Sequence, residues 1–297
     1  YRRWYPNYHW RYHFGYGNQA NSIFEAKYTL GEAANVYGRV YGTWYNRETA
    51  LYITSSQTGR VYRYDFDTHE AELWFSTGEN ATGAIYFHND VGYVAVGTDT
   101  GSHPGLYQFD PRLNSPTISR IGNAISAQFV AFYSDTKAYV TDHLSDSSTG
   151  VHTFNPSSTD SGLTGPISGT EYNGSRMLQD IIVGVDNRVY VSSYGDDTVL
   201  QINPVNDTVQ KSWSTPTSRP QGLFSEFSGI TSHVYVLCNP FTSGVGALHQ
   251  FQPGDTVIPA AVLTGIDTNK MVYHEKMDNY YAIGYGYTYK ISSDSGW

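Results

Sequence analysis

The sequence is nearly without cysteine. Cys238 stands alone, so no disulfide framework can form within the chain and the redox compartment is left open. Its position on an apolar run, Val234 to Leu237, reads as a small buried hydrophobe. No apolar run reaches the length that spans a bilayer. Cations are scarce: 18 Lys and Arg face 27 Asp and Glu, for a net charge of −9. That balance excludes nucleic acid and anionic membrane as partners of the body of the chain. Helical periodicity is missing too, and only Gly31 to Asn35 and Ser175 to Asp180 could hold a turn of helix. Nucleophile-elbow, zinc-protease and phosphate-loop motifs do not occur. No cofactor and no metal is therefore expected.

What is present is tyrosine, 27 of them, with 29 glycines, arranged in a repeat. One marker is an apolar-Tyr-apolar step: Leu51-Tyr52-Ile53, Gly92-Tyr93-Val94, Ala138-Tyr139-Val140, Val189-Tyr190-Val191, Val234-Tyr235-Val236 and, more loosely, Tyr280-Tyr281-Ala282. The other closes the following strand with an apolar residue, a small polar residue, then Pro or a hydroxyl. Its copies are Phe66-Asp67-Thr68, Phe109-Asp110-Pro111, Phe154-Asn155-Pro156, Ile202-Asn203-Pro204, Phe251-Gln252-Pro253 and Ile291-Ser292-Ser293. Both recur about every 45 residues, the length of a propeller blade. The clearest copy, Arg188 to Trp213, alternates polar and apolar residues over three strands parted by turn residues.

A small twisted sheet cannot bury both faces alone, whereas sheets stacked around an axis can. The expected fold is therefore all-β, a six-bladed β-propeller over residues 22–297. The blades run from Val36 to Thr77, Gly83 to Gly122, Ala127 to Ile167, from there to Thr215, Gly222 to Leu263 and onward from Met271. The sixth copy stops after two recognisable strands. Phe24, Ala26, Tyr28 and Leu30 lie in a stretch resembling the outer strand Glu72 to Thr77, so this stretch is expected to complete the last blade and close the ring.

Residues 1–21 match no blade. Trp4, Tyr5, Tyr8, Trp10, Tyr12 and Phe14 make this arm aromatic, and no carboxylate precedes Glu25. Apolar area of this kind does not stay in water. The arm either folds over its own acidic body or docks on a second copy, which would give a homo-oligomer or filament. The absence of an initiating Met, with three sequons at Asn80, Asn173 and Asn206, suggests a processed, secreted or surface protein.

The markers resemble those of the NHL and YVTN propeller repeats and, more distantly, the gluconolactonase and strictosidine-synthase-like propellers. The resemblance implies that each blade's first strand opens at a central channel. Counting back from the tyrosines puts Thr82, Gln128, Asp180, Gln221 and Asn269 there as candidate ligand-binding residues, with Asn35 in the first blade. Lactonase-like relatives would hold a divalent cation on carboxylates at those positions. Only Asp180 is charged here, and hard cations want more than one carboxylate. Thr141-Asp142-His143 with Asp146 is a further cluster that could serve as base or metal ligand, or be a solvated loop. The expected function is non-catalytic interaction or self-assembly outside the cell through the arm. A metal-dependent hydrolase and a carbohydrate-binding propeller are the alternatives.

Overall fold

A computed structural model describes residues 12–14, 40–44, 50–55, 58–65, 68, 70–78, 82–97, 103–143, 149–158, 162–228, 231–239, 246–265, 268–274, 279–284 and 288–292. Every regular element among them is a strand. The strands form six antiparallel sheets in which consecutive strands are neighbours. The first sheet holds β1 (Tyr12–Phe14), β2 (Val40–Trp44), β3 (Ala50–Ser55), β4 (Arg60–Asp65) and β5 (Glu70–Ser76). The second holds β6 (Thr82–His88), β7 (Val91–Val96), β8 (Gly105–Phe109) and β9 (Ser119–Ile121). In the third, β10 (Ala127–Ser134), β11 (Lys137–Asp142) and β12 (Val151–Phe154) are followed by a single bridge from Thr153 to Thr164. The fourth comprises β13 (Leu178–Val183), β14 (Val189–Ser193), β15 (Thr198–Asn203) and β16 (Thr208–Ser214). The fifth comprises β17 (Pro220–Ser228), β18 (Thr231–Cys238), β19 (Ala247–Phe251) and β20 (Leu263–Thr264). The sixth has β21 (Thr268–His274), β22 (Asn279–Gly284) and β23 (Thr288–Ser292).

Each copy of the repeat thus makes one sheet, near the boundaries read from the markers. Three details differ. Ser175 to Asp180 is not helical, since β13 begins at Leu178. The sixth sheet has three described strands, not two, because Thr268–His274 pairs with β22 despite an irregular register that hides its alternation. Tyr12 and Phe14, read as part of an arm outside the repeat, stand on β1 and pair with Gly42 and Val40 of β2. Trp4, Tyr5, Tyr8 and Trp10, Asn35, and the expected closing strand Phe24, Ala26, Tyr28 and Leu30 lie outside the described residues.

The marker tyrosines explain themselves in register. Opposite Tyr52, Tyr93, Tyr139, Tyr190, Tyr235 and Tyr281 stand Arg63, Gln108, Thr153, Gln201, Gln250 and Lys290. The first five tyrosines are at most 2% exposed and are the largest fully buried side chains. A buried phenol must keep a hydrogen-bond partner. Tyr190 donates to Asp186 Oδ2 at 2.7 Å and accepts from Gln201 Nε2 at 2.9 Å. In the next sheet Tyr235 donates to Glu226 and accepts from Gln250 Nε2 at 3.1 Å. Tyr139 donates to Asp207 Oδ1 at 2.9 Å, and Lys137 Nζ pairs with that carboxylate's other oxygen at 2.8 Å.

The second marker is a side-chain turn. Asp110, Asn155 and Asn203 each accept, on Oδ1, the N–H two residues on, at 3.0, 2.9 and 3.0 Å. The Pro between presets the turn's φ. Gln252 is too long for this bond, and there its own N–H is capped by Asp255 Oδ2 at 2.8 Å.

The chain divides into two compact units, residues 1–127 and 128–297. Within the first, Tyr52, Val61, Trp74 and Phe75 of one sheet pack on Ile85, Phe87, Val94, Val96 and Phe109 of the next. A Cβ at Gly92 would lie 2.2 Å from the Phe109 ring, which is why this copy has glycine before its tyrosine. Within the second, Tyr190, Val199 and Trp213 pack on Leu223, Val234, Val236 and Phe251 of the following sheet. The outer-strand tryptophans reach across: Trp74 Nε1 donates to Leu113 O at 3.0 Å and Trp213 Nε1 to Asp255 O at 2.9 Å.

Burial holds the buried phenols in the neutral form, and Tyr93 is pushed up from 10.0 to about 12. An acid whose folded pKa is raised favours folding below its unfolded pKa and loses that contribution as pH climbs through the folded one. The Tyr93 share of the stability measured by urea denaturation should therefore be constant up to pH 10.0 and fall toward about 12. Tyrosinate absorbance from Tyr93 should appear only with unfolding. Phe in its place should remove that share of the fall.

Candidate functional site

The five expected channel positions all lie at the opening of a sheet. Thr82 is the first residue of β6, Gln128 the second of β10, Asp180 the third of β13, Gln221 the second of β17 and Asn269 the second of β21. Register breaks there in four sheets: between Thr82 and Ile85, Leu178 and Ile181, Pro220 and Gly222, and Thr268 and Lys270. Such a bulge leaves backbone groups without ladder partners and re-aims the side chains beside it. Counting residues from the marker tyrosine cannot see it.

The hydroxyl two residues after the marker tyrosine meets those backbone groups. Thr141 Oγ1 accepts from Phe129 N at 3.1 Å, and Ser192 Oγ accepts from Asp180 N at 2.9 Å. Ser192 Oγ also donates to Gln221 O at 3.2 Å, and Thr54 Oγ1 to Gly83 O at 2.7 Å, each carbonyl being at the opening of the following sheet.

Asp180 completes this pattern. It is 1% exposed. One oxygen accepts from Ile181 N at 3.0 Å and the other from Leu223 N, in the next sheet, at 3.0 Å. A carboxylate bonded in this way is a strong backbone acceptor. The one charged member of the set thus joins β13 to β17. Gln128 differs: its side-chain oxygen is buried and accepts no hydrogen bond from the described residues. Thr82 and Asn269 are placed by their backbone alone.

The Thr141-Asp142-His143 run is divided among three tasks. Thr141 serves the β10 backbone. Asp142, 1% exposed, faces His152 Nε2 at 3.8 Å. His143 bonds Leu178 O through Nδ1 at 2.8 Å and stacks on Tyr194, ring centroids 5.9 Å apart. Asp146 lies outside the described residues. Sequence reasoning missed His152, although the signal existed: His152 and His249 each precede the marker Phe by two residues. His249 is locked, its Nδ1 on Pro259 O and its Nε2 on Thr217 Oγ1, both at 3.0 Å. These contacts make Nδ1 the donor and Nε2 the acceptor, and burial lowers the imidazole's pKa.

Asp196 and Asp197 are not a ligand pair. Arg176 Nε meets Asp196 Oδ2 at 3.0 Å, with the two side chains 15% and 11% exposed. Asp197 has φ 54° and takes Arg219 N on Oδ1 at 2.6 Å. Gly195 passes so close to Ser175 O that no side chain would fit there. Burial pushes the Cys238 thiol up to about 12, which keeps it unreactive. Among the described residues no three His, Cys, Asp or Glu side chains cluster to hold a metal. Among the described residues there is no helix long and apolar enough to cross a membrane. Of the sequons, Asn173 and Asn206 are exposed in loops and Asn80 lies outside the described residues.

No family model and no curated protein matches the chain. Solved structures do. The extracellular domain assigned to a hybrid two-component system of Bacteroides thetaiotaomicron superposes with TM-score 0.61 at 15% identity, covering 85% of this chain and 31% of that one. Auxiliary nutrient binding proteins of Bacteroides thetaiotaomicron and Bacteroides ovatus give 0.53 at 10% and 0.54 at 14%. They match 78% and 79% of this chain, which covers 63% of each. The chain therefore spans less than two thirds of the structures it resembles, and the likeness is one of fold.

Asp180→Ala would leave two buried N–H groups without acceptors, at about 1–3 kcal/mol each. Urea denaturation should show a loss of about 2–6 kcal/mol. Asp180→Asn, which keeps one acceptor oxygen, should lose less. Equal stability of all three forms would refute the backbone role.

Proposed function

We propose that the chain is a six-bladed β-propeller that works outside the cell as a non-catalytic interaction module. Residues 24–30 close its last blade, and the arm before them mediates contact with a second copy. Support for the wheel comes from the six successive sheets and from the sheet-to-sheet packing in each unit. The neighbours described as an extracellular domain and as nutrient binding proteins favour an extracellular binding role. The observation that carries the non-catalytic reading is the use of Asp180. The carboxylate best placed to hold a catalytic cation spends both oxygens on backbone amides.

The two nutrient binding neighbours favour a second reading, a carbohydrate-binding propeller. It would show as saturable binding on a glycan array. The metal-dependent hydrolase has no such observation behind it.

Deletion of residues 1–11 removes Trp4, Tyr5, Tyr8 and Trp10 while keeping β1 in its sheet. The full chain is expected to assemble and the truncated chain to be a folded monomer by light scattering. Equal assembly of the two forms, or a monomeric full chain, would end the self-association reading.

A further inference from the structure

The sequence contains one Asn-Gly step, Asn173-Gly174, and it lies exposed in the loop between β12 and β13. Three donors converge on the Asn173 side-chain oxygen: Ser175 N at 3.2 Å, Ser175 Oγ at 3.2 Å and Arg176 N at 2.9 Å. These bonds close a turn around Gly174, whose nitrogen is the first backbone nitrogen after Asn173. Gly174 has φ 98°, and nothing lies within 4 Å of where its Cβ would be. Tyr172 Oη steadies the loop by donating to Gly174 O at 2.9 Å. Donors gathered on a carbonyl oxygen stabilise the charge that develops there when the carbon is attacked. A glycine nitrogen carries no side chain to screen it.

We propose that Asn173 is a self-modifying site at which the folded loop promotes its own deamidation. Gly174 N gives its proton to solvent, and its electron pair forms a bond to Asn173 Cγ. The Cγ–Nδ2 bond breaks, and the nitrogen takes up a proton and leaves as ammonia. Water then opens the cyclic imide at either carbonyl, giving isoaspartate or aspartate. One water enters and one ammonia leaves, with no oxidant, reductant or enzyme.

The change reaches beyond one residue. Isoaspartate adds a methylene to the main chain and dissolves the turn that orients Arg176. That guanidinium bonds Gly169 O at 2.6 Å and Asp196 Oδ2 at 3.0 Å, pinning the loop to the β14–β15 turn. The new carboxylate also adds one negative charge. The site is a slow, irreversible timer on this loop and does not rest on the function proposed above.

The test is to hold the native full chain and the urea-unfolded chain at the same mildly alkaline pH. Peptide mass spectrometry follows replacement of the Asn173 amide by a hydroxyl, and fragmentation separates isoaspartate from aspartate. The native chain is expected to convert roughly tenfold faster than the unfolded one, and Ser175→Ala in the native chain to remove most of that advantage. This is less than a buried oxyanion-hole donor contributes, because the loop is in water. Conversion slower in the native chain than in the unfolded one, or a native rate indifferent to Ser175→Ala, would overturn the proposal.

Discussion

The bond on which this architecture depends runs from a polar side chain of one sheet to the backbone of the next. Thr54 to Gly83, Trp74 to Leu113, Ser192 to Gln221, Leu223 to Asp180 and Trp213 to Asp255 are all of this kind. Their separations in sequence are 29, 39, 29, 43 and 42 residues. Apolar packing alone would let neighbouring sheets slide, since burial is non-directional. A hydrogen bond to a chosen carbonyl or amide fixes register. The paired distances show the same two contacts built twice, once in each unit. Repetition in sequence thus becomes repetition of an interface.

That explains which parts of the fold could be read in the sequence. The marker tyrosine was visible because a large buried phenol that needs a polar partner recurs in successive sheets. The Asn-Pro marker was visible because a side-chain turn has a fixed spacing. Bulges at the first strands were not visible, since one extra residue leaves composition untouched while shifting the alternation. The bonds by which Asp180 ties two sheets were likewise not visible. Ser175 to Asp180 looked like a helical turn for a related reason. Its polarity reflects the Asn173 turn and the Arg176–Asp196 pair, which belong to loop and tertiary contacts rather than to a helix.

The aromatic N-terminal arm illustrates the limit of period-based reading. Tyr12–Phe14 belongs to no repeat copy, yet it extends the first sheet by pairing with Val40–Gly42. Strand addition asks mainly for backbone hydrogen bonds and an open edge, so a segment needs no marker to be accepted there. The same tolerance would allow the edge to take a strand from another chain. Composition therefore located the arm without deciding what it pairs with.

Several acidic side chains are spent on contacts within the protein. In the second unit, Asp180 and Asp197 cap backbone amides, and Asp186 caps one while holding a tyrosine. Glu226 and Asp207 hold further tyrosines, and Asp196 answers Arg176. Each of these carboxylates is held in place by the donors it accepts, and abandoning a buried donor would cost about 1–3 kcal/mol. Net charge is thus a poor guide to ligand charge in this chain. At the opening of β10 the buried Gln128 side-chain oxygen accepts no hydrogen bond from the described residues.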